Sequence, residues 1–369
     1  RFEVVTGVQT CALPILSGNI GGIEVLCRDI NRISKHNNYF YFISEGGCIA
    51  DDIKKDGSSI YVAKKSQKNR LSGVFNLIKY CKKNNIDVVI DHNGSPYTRF
   101  YHAVAATFLK NTKFILYLHS NADKKYGAYK QKLKQAAYEK ILRSAYRKSD
   151  GIVAISKTVK TSFVKIFGFD AEKITVIYNG INEEKFYHTK HDNEFRIIYV
   201  GRLIEIKGIH LLIKALALSE YKDNIKLYIV GTGPDEYIET LNETVNEKEL
   251  KDNVIFTGAQ NDVTGYLAQA DIFVHPAVCE EGFGITMVEA MASSLPCVAF
   301  NKGAVPEIIN PGENGIIVNE ESPEALACAI DELYGIWKNG NLEPMRQNAV
   351  QTAKKFTIEN TVKALEELY

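Results

Sequence analysis

The sequence predicts an α/β protein of two doubly wound domains, each built on a parallel sheet. Three observations carry that expectation. Short apolar runs alternate with helical stretches along the whole chain, as in successive βα units. A length of 369 residues suits two domains better than one. Residues 182–195, NEEKFYHTKHDNEF, are polar and lack an apolar period, so they divide the chain into a domain over 1–180 and another over 181–369. Two such sheets joined by a hinge are expected to take a ligand in the cleft between them, at the carboxyl ends of the strands.

Taken in order, YFYFIS (39–44), IDVVI (86–90), FILYL (114–118) and GIVAIS (151–156) read as buried strands of the first domain. FRIIYV (195–200), KLYIV (226–230), NVIFTG (253–258), DIFVHP (271–276) and PCVAF (296–300) read as those of the second. They are rich in Val, Ile, Phe and Tyr, as strands covered on both faces are.

The composition, 45% hydrophobic and 24% charged, is that of a soluble globular protein. No apolar run approaches the ~18 residues of a membrane span, and the start does not read as a secretory signal. Seven cysteines are scattered singly with no C-x-x-C pair, so a reduced, cytoplasmic compartment is expected. Cys27, Cys297 and Cys328 lie in apolar settings and are expected in the core. The net charge of +1 hides an asymmetry. Residues 1–180 carry 29 Lys and Arg against 14 Asp and Glu, while residues 181–369 carry 16 against 30. Either the two surfaces simply differ, or the first half meets something anionic such as a membrane surface. The densest basic part runs from Lys124 to Lys148 and interleaves Tyr126, Tyr129, Tyr138 and Tyr146. That mixture suits a membrane interface at least as well as nucleic acid.

Three motifs carry chemistry. In YVGRLIEIKG (199–208) a strand ends at Val200, Gly201 allows a turn, and Arg202 and Lys207 follow within one loop. A guanidinium fork and a point charge suit a diphosphate, although taken alone the stretch is better read as a solvated basic pair at a loop. IVGTGPDE (229–236) is a weak phosphate loop, and tight packing at its turn is the better reading. The third stretch, HPAVCEEGFGITMVEAMASSLPCVAFNKGAVPEII (275–309), weighs most. A strand ends at His275, a loop delivers Glu281, Phe283 and Gly284, and a helix starting near Ile285 contains Glu289. Free N–H groups at that helix start can cradle phosphate oxygens, and two carboxylates can accept hydroxyl hydrogens. A phosphate cradle beside two hydroxyl acceptors describes a nucleotide-sugar site.

This stretch resembles the E-x7-E signature of retaining glycosyltransferases of family four, whose GT-B fold has two Rossmann-like domains. GGIE (21–24), ISKTVK (155–160), YNGIN (178–182), VGRL…KG and VPEII (305–309) resemble other blocks of that family in order. The resemblance spans residues 18 to 369 and implies an acceptor-side first domain and a nucleotide-sugar-binding second one, with the last helix able to pack back on the first. It implies that Arg202 and Lys207 bind the donor diphosphate, Glu289 the ribose, and Glu281 the donor sugar. The N–H groups of Gly284, Ile285 and Thr286 would hold the phosphates, and Gly21 and Gly22 would close over them. His119, after the FILYL strand, would stand beside the reacting sugar. His92, in DHNGSP, is a weaker acceptor-side candidate. Ser294 and Ala304 stand where the family has glycine, and mild shifts of geometry are expected there.

The reaction so implied is transfer of a hexosyl unit, with retention, from a UDP- or GDP-linked donor to a hydroxyl, by attack on the front face of the sugar. No cofactor or metal is expected. A lipid-linked or glycan acceptor in surface polysaccharide assembly is expected, with the enzyme peripheral at the inner membrane face and no nucleic-acid partner. A sugar-nucleotide epimerase on the same fold, and a catalytically inactive nucleotide-binding module, are the alternatives.

The start of the chain fits that family poorly. A clean apolar strand should lead into Gly21 and Gly22, but Gly7, Gln9, Thr10 and Pro14 break up Val4, Val5 and Val8. VTGVQTCALPI (5–15) resembles the translated read-through of a sequencing-library adapter. Native sequence is accordingly expected from near Leu16 or Ser17. Residues 5–15 are expected to be drawn into the vacant strand position through Val4, Val5 and Val8.

Overall fold

The structure, a computed structural model, describes residues 9–13, 22–42, 47–62, 71–92, 95–122, 132–189 and 194–369. The chain divides into one unit of Arg1–Gly180 with Ile358–Tyr369, and a second of Ile181–Thr357.

The first unit runs β1 (Gln9–Leu13), α1 (Gly22–Ile33), β2 (Asn37–Phe42), α2 (Cys48–Lys55), β3 (Ser59–Val62), α3 (Leu71–Lys83), β4 (Val88–Asp91), α4 (Pro96–Phe108), β5 (Lys113–Leu118), α5 (Lys132–Lys148), β6 (Gly151–Ala154), α6 (Lys157–Phe167) and β7 (Ile174–Val176). Its seven strands are parallel in the order β3-β2-β1-β4-β5-β6-β7. The order reverses between β1 and β4, the doubly wound switch point. β4 and β5 are apolar because helices cover both faces, and every residue of β4 is buried. Ser95 caps α4 by accepting the Thr98 N–H, with Pro96 at the first helical position.

The central β1 is formed by QTCAL, paired with both β2 and β4. The residues that pair are therefore Gln9–Leu13; Val4, Val5 and Val8 lie outside the described residues, as does Gly21. The Thr10 hydroxyl is buried in the middle of the sheet and donates to Asn38 Oδ1.

The second unit runs β8 (Phe195–Val200), α7 (Ile209–Leu218), β9 (Ile225–Val230), α8 (Asp235–Glu247), β10 (Val254–Gly258), α9 (Thr264–Ala268), β11 (Ile272–His275), α10 (Ile285–Ala292), β12 (Cys297–Phe300), α11 (Val305–Ile308), β13 (Gly315–Val318), α12 (Pro323–Lys338) and α13 (Glu343–Ala353). All six strands are parallel, ordered β10-β9-β8-β11-β12-β13. Its core gathers Phe195, Ile197 and Tyr199 of β8, Leu212 and Leu216 of α7, and Leu326, Ile330 and Leu333 of α12. The final helix, α14 (Ile358–Glu366), belongs to the first unit. Ser34 donates to Glu366 at 2.7 Å, Thr361 to the Tyr178 carbonyl at 2.8 Å and Lys113 to the Tyr369 carbonyl at 2.9 Å.

Two expectations need correction. Cys27 and Cys297 are buried, but Cys328 is exposed, on the outer face of α12. In the basic helix α5, Tyr138 is buried and Tyr146 stacks on Phe169 at 3.9 Å, so neither is an outward-facing anchor. Arg143 donates to the Phe167 carbonyl and Lys148 to that of Ala103, which ties part of the basic cluster into the fold. Tyr126 and Tyr129 lie outside the described residues. No helix among the described residues is long and apolar enough to cross a membrane.

Candidate active site

In the second unit the loop after β8 is held by backbone. The Tyr199 hydroxyl donates to the Arg202 carbonyl at 2.9 Å, leaving the Arg202 side chain exposed. Gly208 lies at φ +70°, and a Cβ there would sit 1.9 Å from the Pro276 carbonyl oxygen, so only glycine fits. Gly231 and Gly233 are equally constrained, since a Cβ on either would fall 1.8 Å from the carbonyl oxygen of Gly201 or Leu203 respectively. The G-x-G of β9 is thus a packing device that lets two strand-end loops touch.

Across the sheet, β11 ends at buried His275, and the next loop brings Glu281 back to it. Lys207 Nζ lies 2.6 Å from Glu281 Oε2, and His275 Nε2 lies 3.1 Å from the same oxygen. Burial alone would raise the Glu281 carboxyl. The His275 hydrogen bond and the charges of His275 and Lys207 outweigh it and hold the group well below the ordinary carboxylate range. The loop is clamped from behind: Ala304 N–H donates to the Glu281 carbonyl and Gly303 N–H to Glu280 Oε2. Gly303, at φ +57°, could not carry a Cβ, which would fall 2.1 Å from the Glu281 carbonyl oxygen.

Gly284, at φ +90°, caps α10 with no side-chain hydrogen bond of its own, and a Cβ there would meet Met287 Cε at 2.3 Å and Glu281 Cγ at 3.4 Å. The opening turn of α10 therefore presents Ile285 and Thr286 with backbone N–H groups that no side-chain cap takes up. Glu289 follows on α10 and is half-buried. Of the two departures from glycine, Ala304 sits at φ −85° at no cost. Ser294 sits at φ +65°, where a side chain costs about 1–2 kcal/mol relative to the right-handed region.

In the first unit, Gly22 opens α1 and is exposed, with nothing within 4 Å of a Cβ built on it. The fold itself does not require glycine there. His119 follows β5 and is half-buried, with its ring stacked on Tyr117 at 4.5 Å. Its Nε2 lies 3.0 Å from Nδ1 of buried His92, at the end of β4. Burial draws His92 down to about 4 even though Asp91 opposes it. Burial, then His92 and Arg99, hold His119 well below its ordinary value. Behind them Arg99 Nη1 lies 2.8 Å from the Asp91 carboxylate, and its Nη2 donates to the Tyr117 carbonyl at 3.2 Å.

Sequence reading missed His275 as the partner of Glu281, and Asp91 and Arg99 as the frame around His92 and His119. The available signal was position: His275 and Asp91 are polar residues closing otherwise apolar strands. Among the described residues no three His, Cys, Asp or Glu side chains converge as a metal site.

Two parallel α/β units with this constellation define a GT-B protein. Residues 21–185 match the family model Glycosyltransferase Family 4, and residues 180–356 match Glycosyl transferases group 1. The chain is therefore a GT-B glycosyltransferase of the family-four type. The Anabaena HepE protein, solved in complex with UDP, superposes with a TM-score of 0.83 over 98% of each chain at 21% identity. The uncharacterized glycosyltransferase MJ1607 of Methanocaldococcus jannaschii is 34% identical over 55% of this chain and 54% of its own length. The O-antigen chain mannosyltransferase RfbU of Salmonella typhimurium is 31% identical over 52% of this chain and 53% of its own. The chain thus spans about half the length of these two relatives.

Proposed function

We propose that the protein transfers a hexosyl unit, with retention, from a nucleoside-diphosphate sugar to a hydroxyl of a lipid-linked or glycan acceptor. The observation that carries this is Glu281, held ionised between Lys207 and His275 beside the uncapped start of α10. In this reading the donor diphosphate takes Lys207 from Glu281 and lies on the N–H groups of Gly284, Ile285 and Thr286, with Arg202 as the second cation. Released from Lys207, Glu281 accepts a hydroxyl of the sugar, and Glu289 takes the ribose. The cations and helix start stabilise the departing diphosphate, so no metal is required for that charge. Gly22, open at its missing Cβ, leaves room for phosphate to approach α1, and neutral His119 serves the transferred sugar. The UDP in the HepE structure supports a nucleoside-diphosphate donor, and the mannosyltransferase RfbU supports a hexosyl unit.

The test is a thermal-shift screen of nucleotide-sugars, followed by turnover of the best one. One sugar-nucleotide is expected to raise the melting temperature, and Glu289→Ala should abolish both that shift and turnover. Stabilisation by none, or unchanged turnover in Glu289→Ala, would reject the assignment.

The acceptor reading adds a peripheral membrane site on the first unit. On α3 the exposed Leu71 and Phe75 lie one turn apart, with exposed Lys79, Lys82 and Lys83 continuing the helix. Exposed apolar residues flanked by lysines suit an anionic lipid surface at a cytoplasmic membrane face. Sedimentation with phosphatidylglycerol vesicles should fall as salt rises and weaken in Phe75→Ser. Binding that ignores salt, or no binding, sinks the membrane reading.

A further inference from the structure

The ring nitrogens of a neutral histidine are one donor and one acceptor, and which is which depends on what each meets. His119 meets His92: His92 Nδ1 and His119 Nε2 stand 3.0 Å apart, so one ring N–H donates to the other ring's lone pair. The pair is braced by Tyr117 and Arg99. His92 and His119 both lie against the Tyr117 ring, with centroids 4.8 and 4.5 Å away. Arg99 then clips the strand ends that carry them, bonding the Asp91 carboxylate next to His92 and the Tyr117 carbonyl two residues before His119. Such a frame restricts how the two rings can turn, and orientation of this kind is what a catalytic group requires. We propose that His92 is the positioning residue of His119: it engages Nε2, selects one tautomer, and leaves Nδ1 as the ring nitrogen that faces a ligand. Burial keeps both rings neutral, so the shared proton is neither lost nor doubled.

His92 acts through His119 and does not touch the reacting atoms. The inference rests on His119 serving the transferred sugar, the reading given above. It also explains why a histidine sits buried at the end of an apolar strand, where a lone imidazole would be costly.

The test compares His92→Phe, which keeps a ring to stack on Tyr117, with His92→Asn, whose amide reaches the place of Nδ1. Ring nitrogen NMR of uniformly labelled protein should give a single tautomer for His119 in the parent and in His92→Asn. In His92→Phe the two tautomers should average. With the sugar donor found in the screen, kcat should fall about 10-fold in His92→Phe with donor KM unchanged, and return toward the parent in His92→Asn. An unaveraged tautomer pattern in His92→Phe would overturn the pairing whatever the enzyme does. Averaging without any fall in kcat would leave the pairing and overturn its role in turnover. Equal losses in both variants would reduce His92 to a packing residue.

Discussion

Replacing Arg99 by methionine is expected to destabilise the first unit by about 3–5 kcal/mol, the loss seen when one partner of a buried ion pair is removed. Asp91 is wholly buried, and Arg99 is 2% exposed. Burial pushes the Asp91 carboxyl up, yet the Arg99 charge and the contact with His102 hold it below its ordinary value. Without the guanidinium the buried carboxylate loses the cation 2.8 Å away while His102 stays at 3.5 Å, and the carbonyls of Asp91 and Tyr117 lose their shared donor. In a thermal melt the transition of the first unit should drop by roughly 10 °C. Asp91→Asn together with Arg99→Met should recover most of that loss, because no buried charge is then left alone. A drop below about 2 °C in the single variant would show that the pair does not hold the two strand ends.

Lys207→Ala is expected to lower kcat by about 10²–10³-fold, the usual cost of losing one group aimed at charge that develops in the transition state. Lys207 lies 2.6 Å from Glu281, on a loop fixed by Gly208 against Pro276. Donor affinity should change less than kcat, since negative charge on the leaving diphosphate grows as the glycosidic bond breaks. Lys207→Arg keeps the charge with a bulkier, planar head and should recover part of the rate. The melting temperature should fall by no more than a few degrees, because Glu281, though mostly buried, keeps its contact with His275 at 3.1 Å. Steady-state kinetics decides: a loss under about 3-fold would remove Lys207 from the donor site.

The central strands were legible in sequence because burial on both faces writes an uninterrupted apolar run. β3, β7 and β13 escaped because they are edge strands of three or four residues, partly open to solvent, whose apolar runs are too short to stand out. Strand β1 was expected where residues 5–15 enter the vacant position, but through Val4, Val5 and Val8, whereas the described strand is Gln9–Leu13. QTCAL has little β preference, and it occupies the centre of the sheet because β2 and β4 leave a place between them. The tertiary slot overrode a weak local signal.

The site divides along the same line. Gly208, Gly284 and the start of α10 could be located from sequence, since turns and caps depend on neighbours a few residues away. Lys207 and Glu281 were each placed, but their union 74 residues apart was not, and His275 completes a trio that spacing does not announce. His92 and His119, 27 residues apart, meet only because β4 and β5 are neighbours whose ends Arg99 draws together. By itself the sequence determined the fold class and the residue types needed for a nucleotide-sugar, through local turns, caps and apolar runs. Only the tertiary structure decided which of those residues share a proton or a charge, because such pairs are set by strand order and packing across the sheet.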